Sequence, residues 1–401
     1  MVVRNYAQFG GRHCETGALG NVLAYYGVTA PHTGREFSEA MLLGIGGGIG
    51  CSCGLLELDA GPRFFFGGRH AEPKVLLIEQ VCDRLGIGTS LCETASAARA
   101  AADLEAVLSA GRPAPVWVDM ALLPYLAIPE GAHFGGHVVV VYAIDDATGD
   151  VLLADRAARG VCAAAADFAA ARASKFRPFP PHHKMLEIVA PEEPVEPQTL
   201  ERAVYRGISD CCRQLQHGPI SNVGLSVLAK WADAVGDDKD SKGWPRLFRQ
   251  PAELYGALTS TFHFIETAGT GGGAFRWMFA EFLEEAADVL SKPAMQESAA
   301  QYRECARLWS EVARAALPDD VPDLRTAREL LAEKNRIFEE QAENAIEQME
   351  AINRQLDEIR GRARESFPGE VQRVLGALHD AIVRVHAAEL EGVRMLQSAL
   401  R

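Results

Sequence analysis

The chain contains no apolar run approaching the roughly 18 to 20 residues that a membrane span requires, and no basic-then-apolar stretch near its N-terminus. Neither a membrane segment nor a signal peptide is expected, and the location implied is cytoplasmic. Paired cysteine spacing is lacking as well. Nine cysteines, an odd number, are scattered through 401 residues, which suits reduced thiols rather than a disulfide scaffold. Cys51-Ser52-Cys53, with His70 and Cys82 apart from it, has no second paired motif, so no metal is expected. Positive charge is in deficit: 40 Lys and Arg against 54 Asp and Glu leave a net charge of −14. That balance excludes the broad basic surface of a nucleic-acid binder. About half of the residues are hydrophobic, enough at this length for two or three cores.

The fold class expected is α+β. Within residues 1–189, short β-type runs (Pro115–Val118, His137–Ile144, Val151–Ala154) alternate with helical stretches and glycine turns. Prolines at 191, 194 and 197, set among acids, suit an extended linker. From Thr199, a helical period through Leu200, Val204 and Ile208 runs until Gly218-Pro219, and helical patterning continues to about residue 318. Residues 324–401 read as a helical hairpin. One stripe runs through Phe338, Ala342, Ala345, Met349, Ile352, Leu356 and Ile359, in the alternating steps of a coiled-coil seam. Phe367-Pro368-Gly369 breaks it, and a second stripe follows through Val371, Leu375, Leu378, Ile382 and Val385. Periodicity leaves open whether this seam closes within one chain or joins two copies into a homodimer.

Chemistry concentrates around QFGGRHCETGALGNVLAYYG, residues 8–27. Apolar residues at Ala18, Leu19, Val22, Leu23 and Tyr26 form a helical face ending at Gly27, so Cys14 sits on a first helical turn. A helix N-terminus with a nearby imidazole turns a thiol into a nucleophilic thiolate. The bland alternative is a small buried residue. Far downstream, His137 opens a β-branched run and the next strand-like run ends on Asp155. Adjacent antiparallel strands would set these side by side, the histidine as base and the aspartate fixing its tautomer.

The order of Gln8, Cys14, the helix ending in YYG, His137 and Asp155 resembles the papain-like peptidase domain of bacteriocin-processing transporters. That resemblance implies catalysis by Cys14, His137 and Asp155, with the Gln8 amide facing the oxyanion. Where that family has Asp-Cys-Gly, this chain has His13-Cys14-Glu15. HCETGALGNVLAYYG, FSEAMLLGIGGGIG at Phe37–Gly50 and GGGAFRWMFAEFLEEAADVL at Gly271–Leu290 resemble more closely the BtrH-type family of butirosin biosynthesis, over residues from about 8 to 315. The named member of that family moves an aminoacyl group from an acyl carrier protein to an aminoglycoside amine. The resemblance implies acyl transfer in antibiotic biosynthesis. Its partners would be an acyl carrier protein and a small-molecule or peptide amine; no cofactor would be needed beyond the carrier's own phosphopantetheine arm. A papain-like hydrolase, peptidase or thioesterase, uses the same triad, and a non-catalytic scaffold is the third reading.

Further residues have two readings each. The glycines around Gly47 could admit a ligand to backbone amides or simply form a turn. Glu39 could bind a substrate amine or cap a helix; Arg276 could meet an anionic group or pair with an acid. GTGGGA at Gly269–Ala274 lacks the lysine and hydroxyl residue of a P-loop. ARASKFRPFPPHHK, Ala171–Lys184, offers Arg172, Lys175, Arg177 and Lys184 without an acid, as a docking face for an acidic carrier.

Overall fold

A computed structural model describes the chain apart from residues 59–60, 72–75, 130, 219, 342 and 367–369, and apart from the side chains of 56–58, 61–62 and 364–366. Pro219, Ala342 and the Phe367-Pro368-Gly369 break therefore lie outside the described residues. The fold mixes helix and sheet, as an α+β chain does. Two compact units form, each discontinuous in sequence. Unit 1 comprises Met1–Leu42, Lys74–Ala203 and Arg336–Ala351; unit 2 comprises Leu43–Pro73, Val204–Asn335 and Ile352–Arg401. Among the described residues no helix is long and apolar enough to cross a membrane.

Unit 1 starts with helix α1 (Cys14–Tyr25). His13, in extended conformation, accepts the Thr16 N–H as an N-cap, and Gly27 at φ +69 turns the chain out of the helix. A two-residue hairpin follows, β1 (Thr29–Ala30) with β2 (Arg35–Glu36). In unit 2 a long hairpin joins β3 (Ile49–Leu58) to β4 (Gly61–Arg69). The remaining strands belong to unit 1: β5 (Thr89–Cys92), β6 (Ala114–Val118), β7 (His137–Ile144), β8 (Val151–Ala154), β9 (Val161–Ala163) and β10 (Met185–Ile188). They form one sheet in the order β5-β10-β6-β7-β8-β9, every pair antiparallel. β6 and the first five residues of β7, which includes the run Val138–Val141, are buried throughout, and α1 packs against β7. Val118 pairs with His137 and Val140 with Ala154. Both ends of the β7–β8 ladder that carry polar side chains, His137 and the residue after Ala154, thus come to the same edge of the sheet.

The helix opening at the linker begins at Pro197, two residues earlier than Thr199, because proline fits a first helical turn where no N–H is needed. Unit 2 is otherwise helical and is organised around a buried ion pair. Arg276, the first residue of the helix Arg276–Val289, donates from Nε to Glu389 Oε1 at 2.6 Å. Its Nη1 donates to the carbonyls of Gly68 (2.8 Å) and Ala274 (2.7 Å), and Nη2 to Gly50 O (3.0 Å) and Cys51 Sγ (3.2 Å). Trp309 Nε1 adds a second donor to Glu389 Oε1 at 2.7 Å. Both charged side chains are fully buried. Arg276 is therefore not an anion-binding residue; the guanidinium satisfies itself inside the core. The GTGGGA run serves the same arrangement. Gly269, Gly271, Gly272 and Gly273 all have positive φ and wind the chain into this helix, so the run is a tight turn rather than a nucleotide loop.

The second apolar stripe is filled within the chain. Val371–Leu400 packs on Ala294–Ala316 and Ser226–Gly236, burying Leu375, Leu378, Ile382, Val385 and Leu396. Its partners within the chain are these two core helices. The first stripe is divided between the units at residue 351: Phe338 lies under the Arg156 guanidinium in unit 1, whereas Tyr255 donates to the Leu356 carbonyl in unit 2.

Removing one member of a buried ion pair strands the other without water. Glu389→Ala should lower stability by about 3–5 kcal/mol, read from denaturant unfolding, whereas Arg303→Ala, which breaks an exposed pair with Glu284, should cost less than about 1 kcal/mol. Equal losses would show that the Arg276–Glu389 pair does not organise unit 2.

Candidate active site

Everything at this site depends on how residues 8–13 approach the start of α1. Gly11 (φ +152) and Gly17 face one another so closely that a side chain added at Gly11 would lie 2.9 Å from the Gly17 Cα. Glu39 then fixes the loop from outside. Its Oε1 accepts the Arg12 N–H at 2.7 Å, and its Oε2 accepts the His13 N–H at 3.2 Å and the Thr16 hydroxyl at 2.9 Å. Of its two readings, the structure gives Glu39 the capping one: both carboxylate oxygens are engaged in holding the chain on either side of Cys14. Asn21 ties the same loop from the helix, donating to Gly10 O at 3.1 Å.

Cys14 is half-buried at the first position of α1, and it interacts with two imidazoles. Burial pushes its thiol up, but His13 and His137 together outweigh burial and hold it well below the ordinary thiol range. His137 is buried. Its Nε2 lies 2.8 Å from Asp155 Oδ2, so the ring nitrogen left to face Cys14 is Nδ1. Burial pushes the imidazole down, yet the Asp155 carboxylate and the hydrogen bond to Cys14 raise it to about 10. Asp155 is itself buried, which pushes it up, but His137 and Arg156 hold it below its usual value. Its oxygens are satisfied: Oδ2 also accepts the Tyr125 hydroxyl at 3.0 Å, and Oδ1 accepts the Arg156 N–H at 2.7 Å. The result is a thiol whose charged form is favoured by His13 and His137, with His137 itself hydrogen-bonded to a carboxylate held below its usual value.

The other cysteines differ. Burial pushes Cys51, Cys53, Cys82 and Cys212 up to about 12, and Cys92 and Cys162 are raised as well. Among the described residues, no three of His, Cys, Asp and Glu come together in a way that could hold a metal ion.

Gly47 and Arg172, both singled out by pattern, are taken up elsewhere in the fold. Gln8 is half-buried, with Oε1 accepting the Ala7 N–H at 2.9 Å, so the nitrogen end of its amide is the end free to meet a ligand. Gly47 lies in unit 2 at φ +101, where a side chain would meet the His70 ring at 2.5 Å; packing explains the glycine. Arg172 is not a surface residue. It is buried beside Phe168 and donates to the carbonyls of Ala100 (3.2 Å) and His183 (2.9 Å), and burial lowers it to about 10. Lys184 is half-buried, while Lys175 and Arg177 are exposed. Pattern reading missed Tyr125, His13 and a buried aspartate, Asp119, which accepts from His133 Nδ1 (2.9 Å) and Ser174 Oγ (2.6 Å) and so ties the loop ahead of His137 to the segment before Lys175. Pro124, which opens the short helical turn carrying Tyr125, was the sole local sign that this loop is ordered.

Residues 13–156 match the family described as butirosin biosynthesis protein H, N-terminal. The match opens one residue before Cys14 and closes one residue after Asp155. Residues 166–345 match a domain of unknown function, DUF4872. No curated protein matches the chain.

Proposed function

We propose, from the match of residues 13–156 to the family described as butirosin biosynthesis protein H, N-terminal, that the chain is a cysteine acyltransferase of antibiotic biosynthesis, built on a papain-like unit, that moves an acyl or aminoacyl group from a carrier-protein thioester to an amine. The observation that carries the proposal is the His137–Asp155 hydrogen bond together with a Cys14 thiol that His13 and His137 hold well below its ordinary range, all within the matched segment. Catalytic roles follow from the chemistry. The Cys14 thiolate attacks the thioester carbonyl; a new S–C bond forms and the carbonyl becomes an oxyanion. The Gln8 amide nitrogen and the N–H groups at the start of α1 are the donors to that oxyanion. When the carbonyl re-forms, the bond to the carrier sulfur breaks and the departing thiolate takes the proton from His137 Nδ1. The acyl-enzyme then accepts the amine, whose proton passes to the now neutral His137 as Cys14 leaves as thiolate. Atoms and charges return to their starting state. Asp155, kept ionised and oriented by Tyr125 and the Arg156 N–H, stabilises the imidazolium formed in each half.

The carrier's docking face is proposed at the segment from Ser174 to Lys184. Without Arg172, the basic groups are Lys175, Arg177 and Lys184, and no acid interrupts residues 171–186. Exposed Phe176 and Phe179 add apolar area, and Phe134, in edge contact with Phe179, lies three residues before His137. An acidic carrier surface complements this face in an otherwise acidic chain.

Intact-mass measurement with an acyl-carrier thioester and no amine should show an adduct mapping to Cys14 that decays when an amine is added. Cys14→Ala and His137→Ala should each lose about 10⁴- to 10⁶-fold in rate, Asp155→Asn less, and Gln8→Ala about 10²- to 10³-fold. The wild-type rate should fall as pH rises through about 10, where His137 loses its proton. Fast decay without amine would favour a hydrolase, and full activity in Cys14→Ala would eliminate covalent transfer.

The docking face is tested separately. Lys175→Glu with Arg177→Glu should slow carrier association on the order of 10-fold at low salt and flatten its salt dependence, with the acylation rate from a small thioester unchanged. An unchanged association rate would remove this segment from the carrier interface.

A further inference from the structure

Asp155, the acid of the proposed triad, lies outside the sheet ladder. β8 ends at Ala154 and β9 begins at Val161, so whatever fixes the connection between them fixes the acid. Its Oδ1 accepts the N–H of the next residue, Arg156, at 2.7 Å, while Oδ2 meets His137 Nε2 at 2.8 Å. A turn of the 155–156 peptide would therefore move the carboxylate relative to the imidazole. The partners of this connection come from far along the chain. Unit 1 includes the stretch Arg336–Ala351, in which the helix Pro322–Glu340 ends. The Arg156 guanidinium lies over the buried Phe338 ring, 5.0 Å from its centroid, and Arg156 Nη1 lies 3.6 Å from Glu339 Oε1. The Glu339 carbonyl accepts the Ala158 N–H at 2.8 Å. The last carbonyls of a helix have no partner within it, and they give that end a partial negative charge. An N–H and a guanidinium from the β8–β9 connection meet both needs, and Ala157 between them is buried.

We propose that Phe338 and Glu339 are positioning residues for the acid: the end of the helix Pro322–Glu340 clamps Arg156 and Ala158, and thereby holds Asp155 against His137. The inference rests on the reading of Asp155 as the group that orients His137. The Arg156–Glu339 pair, with its carboxylate partly in water, contributes little on its own, so the ring face and the backbone hydrogen bond carry the clamp. Arg156 closes the segment matched to the butirosin biosynthesis protein H family, residues 13–156, whereas Phe338 and Glu339 belong to the segment matched to DUF4872, residues 166–345. On this inference the second matched segment completes the site of the first without touching substrate. The charged and titratable groups at this junction are His137, Tyr125, Asp155, Arg156 and Glu339, with Cys14 also acting on His137. Phe338 carries no charge. Replacing it alters the titration of His137 only by moving these groups.

The test is the titration of His137 in the full chain, followed by NMR through the carbon-bound protons of its ring and assigned by their loss in His137→Ala. The Asp155 carboxylate helps to raise this imidazole to about 10. In Phe338→Ala and Phe338→Leu the midpoint should fall by about one unit, toward the ordinary value of about 6.5. Turnover of a small thioester should fall on the order of 10-fold in both, with KM unchanged. Met349→Ala opens a cavity at another buried position of the same stretch and should leave the His137 midpoint where it is in the wild type. An unshifted midpoint in Phe338→Leu would overturn the proposal, and this arm decides even if Phe338→Ala fails to fold. An equal fall in Met349→Ala would overturn it too, since general loosening would then explain the effect. A wild-type midpoint near 6.5 would overturn the Asp155–His137 pairing and the proposal with it. The titration needs no turnover, so its failure is distinct from failure of the acyl-transfer reading, which shows as full activity in Cys14→Ala.

Discussion

On the function proposed here, the Cys14 sulfur is charged at a half-buried position and needs partners that do not leave when it reacts. The helix start contributes N–H groups, the His137 imidazole favours the charged thiol, and Asp155 lies 2.8 Å from that imidazole's Nε2. None of these partners is independent of the fold. His137 sits where β7 begins because Val118 pairs with it across the sheet, and Asp155 follows directly on the end of β8, which pairs with the middle of β7. Glu39, reaching Arg12, His13 and Thr16, converts a glycine-rich loop into a fixed approach to the thiol. The carboxylate that the sequence pattern offered for substrate is thus taken up by the chain on either side of Cys14.

The helix Cys14–Tyr25, its glycine stop, and the strands His137–Ile144 and Val151–Ala154 were legible because each is coded locally, by apolar period or β-branched run. The approach of His137 and Asp155 could be inferred from the antiparallel neighbours that such runs form. What could not be read were side-chain contacts between residues distant in sequence. Tyr125 reaches Asp155 across 30 positions and Arg276 reaches Glu389 across 113, and nothing in the neighbourhood of either residue encodes its partner. Arg172 illustrates the same limit in reverse. Its neighbours Lys175 and Arg177 are solvent-exposed, but α-helical geometry at Ala165–Ala173 turns Arg172 inward to two carbonyls. The hairpin Ile49–Leu58 with Gly61–Arg69 escaped notice because glycine at 50, 54, 67 and 68 lowers its strand signal. At Gly68 a side chain would press within 2.9 Å of the Ala274 carbonyl, so glycine is required there.

The charged core pair of unit 2 closes at one carboxylate oxygen, Glu389 Oε1, which accepts from both Arg276 and Trp309. Burying Arg276 and Glu389 together stabilises little compared with an apolar pair of the same volume, but it fixes which helices meet. Carbonyls of the β3–β4 hairpin accept from the guanidinium, and the carboxylate on Val371–Leu400 closes the set with Trp309. The C-terminal helix is thus an integral part of that unit. Its apolar stripe serves the core helices Ala294–Ala316 and Ser226–Gly236.

The central claim, that Cys14 exists as a thiolate at neutral pH, is open to direct measurement by ultraviolet absorbance. A thiolate absorption that titrates well below the ordinary thiol value of about 8.5, and that is absent from Cys14→Ser, is the predicted result. Titration of all thiol absorbance at or above about 8.5, identical in wild type and Cys14→Ser apart from the loss of one thiol, would contradict it.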